Sequence, residues 1–223
     1  MALTESFTTR RLSVSLLTEE AMRALCAENA GKTYGDAYEE IRAAAEAHPA
    51  ERAWYAAWQV CAKREPDKAL GYLACKGPAV NGVVELRVCI PSGRERDKTV
   101  SEAIRGMLQW AFREKDVVAA EVCADYYNDD LQEILKRSGF KRYNKHGGLV
   151  ETGELLWFRT QKPNPGYMGT GFIIGVIAGA IIGKLVGMSS FLTVIGLAIG
   201  VFTGVFMDNR EKRRREKLLN GEA

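Results

Sequence analysis

Hydrophobic and polar positions follow two different rhythms along the first 160 residues. Period-two alternation or a short continuous apolar run predicts a strand, whereas apolar residues three and four apart predict a helix. In chain order the pattern predicts strand 10–17, helix 18–29, helix 35–48, strands 53–63, 69–77 and 82–90, helix 99–112, strand 117–124, helix 129–139 and strand 154–160. The segment 64–68, REPDK, is predicted to be a turn. This order indicates a mixed α/β sheet flanked by helices.

The pattern changes completely after residue 167. Between Met168 and Met207 the one ionisable residue is Lys184. The apolar runs 168–188 and 191–207 are each about as long as a helix needs to cross a bilayer core of roughly 30 Å. They predict two transmembrane helices that form a hairpin, with the sequence MSS as the turn between them.

Glycine recurs at every fourth position of both runs. Because glycine costs an exposed helix about 1 kcal/mol relative to alanine, we expect each stripe to serve close helix–helix packing in lipid. The stripes face either each other or a neighbouring chain, so a homo-oligomer is one expected assembly. A buried hairpin in a soluble protein and an oligomeric pore are the alternatives. The stripes comprise Gly171, Gly175, Gly179, Gly183 and Gly187, then Gly196, Gly200 and Gly204.

Charge at the ends of the hairpin predicts its orientation. Arg159 and Lys162 precede the first run, and the basic sequence NREKRRREK follows the second. By the positive-inside rule, both ends of the hairpin are then cytoplasmic, at the inner membrane. The predicted organisation is a domain over 1–160, a Pro/Gly linker over 161–167, the spans, and a basic tail over 208–223. The formal net charge of +3 is too small to favour nucleic acid as a partner.

Cysteine and histidine usage argues against a metal site. The five cysteines are widely spaced without a CxxC pair, and the chain has only two histidines. We interpret the cysteines as small core residues in a reducing compartment. The N-terminus has no apolar run typical of a secretory signal, so none is expected there.

Two segments resemble a known family. The stretches VELRVCIPSGRERDKTVSEAIRGMLQWAF (84–112) and NDDLQEILKRSGFKRY (128–143) resemble the GNAT superfamily of acetyl-CoA-dependent N-acetyltransferases. The branch they are most similar to is that of the ribosomal-protein N-terminal acetyltransferases. The second segment matches the branch at Asn128, Leu135, Gly139 and Phe140. The resemblance covers roughly residues 8–160 and implies an α/β (α+β) GNAT-like mixed sheet.

The resemblance implies a catalytic base and part of a site for acetyl-CoA. Glu85 lies on the strand where the family often keeps a carboxylate that accepts the proton of the amine. The main-chain groups of Val88 and Ile90 correspond to those that bind the pantetheine arm. Asn128 corresponds to a polar position of the cofactor pocket. From the residues alone, Glu85 is equally well a surface glutamate, and Asn128 equally well a helix N-cap.

The segment that should bind the pyrophosphate departs from the family. The family usually has Q/R-x-x-G-x-G/A here, because bare backbone lets N–H groups approach the phosphates. This chain has ERDKTV instead, with Glu95 in place of Gln or Arg and with Lys98 and Val100 in place of the small residues. Arg96 and Lys98 are then expected to bind the phosphates through their side chains, and Ser101 to cap the following helix.

The sequence therefore supports three hypotheses. The first is a membrane-anchored N-acetyltransferase that moves an acetyl group from acetyl-CoA to a primary amine, with the lipid bilayer as a partner and the amine unidentified. The second is a catalytically inactive GNAT-like binding domain tethered to a glycine-zipper membrane oligomer. The third is a glycine-zipper assembly in which the first domain is a regulatory cap.

Overall fold

One mixed β-sheet organises the first of two compact units, residues 1–162, and residues 163–223 form the second unit. The computed structural model describes residues 5–32, 34–90, 97–143, 155–164, 166–187 and 189–222. In these residues the strands are β1 Ser6–Thr8, β2 Leu12–Leu16, β3 Trp58–Ala62, β4 Glu65–Cys75, β5 Val83–Cys89, β6 Ala119–Asp125, β7 Lys141–Arg142 and β8 Leu155–Gln161.

The strands pair in the order β1-β2-β3-β4-β5-β6-β8-β7. All described neighbours are antiparallel except β5 and β6, which are parallel and connected through a helix. A mixed sheet of this kind agrees with the predicted fold class.

Helices cover both faces of this sheet. Those of the first unit are α1 Glu19–Asn29, α2 Gly35–Ala47, α3 Arg52–Tyr55, α4 Asp97–Ala111 and α5 Asp129–Arg137, with a short 3-10 turn at Pro49–Glu51. On one face α4 packs into the main core, where the Trp110 ring lies 4.7 Å from that of Trp54 and 4.8 Å from that of Trp58. On the other face α1 and α2 bury Tyr38 and Ile41 together with Cys89 of β5.

The predicted strand 53–63 and turn 64–68 are wrong in part. Residues Arg52–Tyr55 form the short helix α3, and β3 begins only at Trp58. The hairpin turn is at residues 63–64, because Ala62 pairs with Glu65, and β4 already includes most of the predicted turn. Among the described residues β4 pairs with β5 only over residues 72–75, so Pro66 lies outside this pairing, where its missing N–H is tolerated. The short strands β1 and β7 were not predicted.

The second unit consists of two long helices, α6 Tyr167–Val186 and α7 Ser189–Leu219. Both are long and apolar enough to cross a membrane by length and composition. They pack where their glycines meet: a Cβ added at Gly175 would overlap the carbonyl oxygen of Gly196, and one at Gly204 would lie 2.6 Å from the Cα of Met168.

A carboxylate closes the open end of this helix pair. The two oxygens of Asp208 in α7 accept hydrogen bonds from the backbone N–H groups of Tyr167 and Met168, at 3.0 and 3.1 Å. These groups are among the first of α6, which have no partner within their own helix. Asp208 therefore caps α6 from the neighbouring helix and fixes the register of the two helices.

We expect Gly175→Ala to destabilise the α6–α7 pair and Gly169→Ala to leave it intact. A methyl group at Gly175 meets backbone that cannot move aside, at a cost of about 1–3 kcal/mol, whereas nothing lies within 4 Å of a Cβ at Gly169. Thermal unfolding of the full chain in detergent micelles, followed by circular dichroism, measures the difference. Equal melting curves for the two variants would contradict the packing.

Candidate functional site

A gap opens in the middle of the sheet where β5 and β6 stop pairing. Their parallel register extends from Val83↔Ala119 to Leu86↔Val122 and no further. Beyond this point β5 remains paired with β4, and β6 with β8. The facing edges of residues 87–89 and 123–125 therefore present backbone N–H and C=O groups to the gap rather than to each other. An extended ligand with amide groups suits such edges.

Glu85 lies one residue before the gap. Its carboxylate forms an ion pair with the ammonium group of Lys76 at the end of β4, and its side chain is about one-fifth exposed. In the register of the sheet Glu85 is opposite Glu121 of β6. Paired residues of neighbouring strands point to the same face, so these two carboxylates share the face that α1 and α2 cover.

Glu121 of β6 forms an ion pair with Arg159 of β8, which lies opposite it in the sheet. Its carboxylate accepts a hydrogen bond of 2.7 Å from Nε of Arg159 and forms an ion pair with the same guanidinium. The Arg159 guanidinium also lies over the ring of Tyr143, 4.2 Å from its centroid. Burial, and then the neighbouring Glu121 carboxylate, raise the pKa of Tyr143 well above its usual range, so the phenol keeps its proton at neutral pH.

Arg87 is the first residue of β5 beyond the paired segment. Its guanidinium forms an ion pair with Glu40 of α2, whose side chain is largely exposed. Two residues further on, burial raises the pKa of the Cys89 thiol to about 11. A thiol that stays protonated is a poor nucleophile, so Cys89 fills the core rather than reacting. The predicted structural role of the cysteines agrees with this burial; Cys123 at the gap is half-buried.

The side chains of Val88 and Ile90 belong to the core. Ile90 is buried against Gly71 of β4, where an added Cβ would lie 2.8 Å from the Ile90 Cα, and Val88 packs against the main core. The groups that either residue can offer to a ligand are therefore those of its main chain.

The predicted phosphate-binding residues at the start of α4 lie on two sides of the helix, one facing the core and one facing a cavity. Val100 points into the core and is 1% exposed, so its side chain does not obstruct a ligand outside the helix. The prediction that Ser101 caps the helix is wrong, because α4 already begins at Asp97. Ser101 and Lys98 instead line an open cavity on the outer side of α4. Glu95 and Arg96 lie outside the described residues.

The turn before α5 combines a helix cap with two exposed rings. Asn128 accepts a hydrogen bond of 3.0 Å from the Leu131 backbone N–H and is the N-cap, as one of its two interpretations predicted. Tyr126 and Tyr127, just before this cap, are 52% and 79% exposed. Leu135, one of the positions that match the family branch, is completely buried.

Glu102 anchors the start of the chain to α4. Its carboxylate accepts hydrogen bonds from Thr9 Oγ1 at 2.6 Å and from the backbone N–H and Nε of Arg11, each at 2.7 Å. Partial burial opposes ionisation, but the hydrogen bonds from Thr9 and Arg11 outweigh it and lower the pKa of Glu102. This anchor fixes the turn between β1 and β2 beside the first turns of the helix.

Sequence reasoning missed the charged partners around the gap. Lys76, Arg87 and Glu121 were each assigned to a strand without a role, and Arg159 was used only as a positive charge before the first apolar run. Polar residues at alternate positions of otherwise apolar strands were the available signal, but their pairing depends on register across four strands. Among the described residues, no group of three or more His, Cys, Asp or Glu side chains is placed to hold a metal ion.

A model of the acetyltransferase (GNAT) domain family matches residues 10–141. A search of curated proteins found no match. Among solved structures, one assigned as a ribosomal-protein-serine acetyltransferase from Vibrio cholerae is 16% identical, covers 73% of this chain and 100% of its own, and has a TM-score of 0.53. The ribosomal-protein N-acetyltransferase RimL in complex with coenzyme A is 10% identical, covers 70% and 98%, and has a TM-score of 0.53. A GNAT acetyltransferase from Bacillus anthracis is 11% identical, covers 70% and 98%, and has a TM-score of 0.51.

We expect Glu102→Gln to lower the stability of the first unit at neutral pH by about 1.5–3 kcal/mol, the usual value of a hydrogen bond to a charged group. A carboxyl whose pKa is lowered on folding stabilises above its ordinary value of 4.5 and loses this contribution as the pH falls through the folded pKa. The variant should therefore lose less stability than the parent as the pH falls from about 5 to about 3. The position of this window is set to within about one pH unit.

Denaturant unfolding of the full chain measures this effect through tryptophan fluorescence, because the sequence has four tryptophans and all lie in the first unit. Glu65→Gln, an exposed position on β4, is the control. If the two variants had the same pH profile, Glu102 would not be the anchor.

Proposed function

Since the chain belongs to the GNAT acetyltransferase family, we propose that it transfers an acetyl group from acetyl-CoA to a primary amine. The observation that carries this proposal is the separation of β5 and β6 after Leu86↔Val122. The backbone edges in this gap match the amide groups of a pantetheine arm in donor and acceptor chemistry. Acetyl-CoA supplies the thioester, and the chain supplies the edges that hold its pantetheine arm.

The phosphate end of the coenzyme requires cations or free N–H groups. Lys98 and Ser101 lie in the first turns of α4 and offer an ammonium and a hydroxyl group. Because Val100 points inward, its side chain does not fill the space that a small residue would leave. The described residues therefore fit the coenzyme through side chains rather than through a glycine-rich backbone.

We assign the role of general base to Glu85. It lies beside the start of the gap, at the end of the segment where β5 and β6 are still paired. In the proposed step the lone pair of the amine nitrogen forms the C–N bond, the C–S bond breaks, and the amine proton passes to Glu85 directly or through a water molecule. The leaving thiolate takes a proton from solvent. Lys76 pairs with Glu85 and positions it.

We further propose that α6 and α7 anchor the protein in a membrane as a hairpin. Only 17% and 6% of their most apolar windows are buried. Large apolar side chains such as Ile177 and Phe202 are exposed on them at 54% and 77%. An exposed apolar surface of this length suits lipid and not water. The basic continuation of α7 beyond Asp208 suits the cytoplasmic side.

A second function is favoured by two features of the chain. Lys98 replaces a glycine of the family, and Glu85 is held by Lys76. Both features are compatible with a domain that binds a ligand without acetyl transfer. Binding of acetyl-CoA without turnover of any amine would support this alternative.

We expect Glu85→Gln to reduce kcat by about 10²- to 10⁴-fold, the range of general-base catalysis, and to leave the Kd for acetyl-CoA unchanged. The amide keeps the shape of the carboxylate but cannot accept the proton. Release of the coenzyme A thiol with a panel of primary amines measures kcat, and calorimetry on the full chain in detergent measures Kd.

Glu65→Gln is again the matched control, because it removes a carboxylate from β4 far from the gap. Normal kcat in Glu85→Gln would show that another group is the base. If the parent chain failed to bind acetyl-CoA, the proposed function itself would be refuted.

For the anchor we expect Ile177→Arg combined with Phe202→Arg to move the protein out of carbonate-washed membranes. An arginine at the centre of a span costs about 2.5–3.5 kcal/mol on insertion scales. Leucine at the same two positions is the control and should leave the membrane fraction unchanged. Membrane retention of the arginine variant at the parental level would argue against the hairpin spanning the bilayer.

A further inference from the structure

A basic groove runs along the outer side of α4. One wall is the turn between β1 and β2, and the other is the end of α5 at Arg137. Its floor consists of helix positions three and four residues apart, including Lys98, Ser101 and Arg105. The groove has a volume of about 560 Å³, within the range of small-molecule sites.

The charges of the groove do not balance. Its lining contains the cations Arg10, Arg11, Lys98, Arg105 and Arg137 but a single carboxylate, Glu102. Glu102 is engaged with Arg11, and Arg137 pairs with Glu133 outside the groove. Within the described part of the chain no acidic side chain forms an ion pair with the remaining three cations. A concave surface with this surplus attracts anions.

Two features of the groove indicate a ligand with more than one phosphate group rather than a single small anion. Arg105 donates to the backbone carbonyl of Arg137 at 2.8 Å, which orients its guanidinium between α4 and α5. A guanidinium held in this way can still donate its remaining N–H groups to phosphate oxygens. Lys98 is seven residues away, about 10 Å along the helix, so the spacing suits two separate phosphate groups.

We propose that this groove binds the nucleotide end of coenzyme A, with Lys98 at the pyrophosphate and Arg105 at the 3′-phosphate. The inference rests on the proposed function. It explains how a chain with lysine in place of the family's glycine still holds the phosphates: the contacts move from loop backbone to side chains on the outer side of α4.

Binding of coenzyme A and of dephospho-coenzyme A, which lacks the 3′-phosphate, tests the assignment by calorimetry on the full chain in detergent. We expect the parent to bind coenzyme A at least tenfold more tightly than the dephospho form. Arg105→Gln should abolish this preference, and Lys98→Gln should weaken both ligands about equally. Arg113→Gln removes an exposed cation near the end of α4, outside the groove, and should behave as the parent.

An unchanged preference in Arg105→Gln would overturn the inference while leaving acetyl-CoA binding, and with it the proposed function, intact. If the parent bound neither coenzyme, the proposed function would fail, and adenosine 3′,5′-bisphosphate would then test the groove alone. Binding of this probe that falls at least tenfold in Arg105→Gln, and that equimolar inorganic phosphate does not displace, would keep the groove as a nucleotide-phosphate site. No binding, or displacement by phosphate, would overturn it.

Discussion

The parallel pairing of β5 with β6 is the constraint on which the arrangement of the site depends. Four residue pairs, from Val83↔Ala119 to Leu86↔Val122, form the parallel pairing between the two halves of the sheet. Beyond them each strand follows its outer neighbour, and because strands twist relative to one another, the two edges diverge. The helix α4 connects the same two strands and packs Trp110 against Trp58 of β3 in the main core. The gap is thus a consequence of how the core is built.

Charged residues occupy the closed end of this gap in an ordered row. Neighbouring strands place Lys76, Glu85, Glu121 and Arg159 side by side, so that two carboxylates on adjacent strands are flanked by two cations. Adjacent like charges repel, and removing one cation would leave a carboxylate without compensation in a partly buried position. The row therefore stabilises the closed end and at the same time presents Glu85 at the boundary of the gap.

The local pattern of hydrophobic and polar residues predicted most of the sheet and its helices. It failed where tertiary contacts determine the backbone conformation. Trp54 and Tyr55 have aromatic side chains typical of strands, yet the chain forms a helix there, with Arg52 donating to the carbonyl of Leu17. The site residues on β5 were predicted because a family motif marks them. The charged pair beside them on β6 and β8 was not, because Arg159 reaches Glu121 from 38 residues away and no periodicity encodes that contact.

The glycine stripes illustrate the same limit. Their spacing predicts close helix packing but does not identify the partner helix. In the structure the partner is the other helix of the same chain: Gly175 contacts Gly196, and Gly171 contacts Gly200. A surface already occupied by backbone contact cannot serve a second helix at the same time. Homo-oligomerisation through the stripes stays a prediction, and it would have to compete with the contact that Asp208 closes. What remains exposed is a continuous apolar exterior, which is the surface that a bilayer would cover.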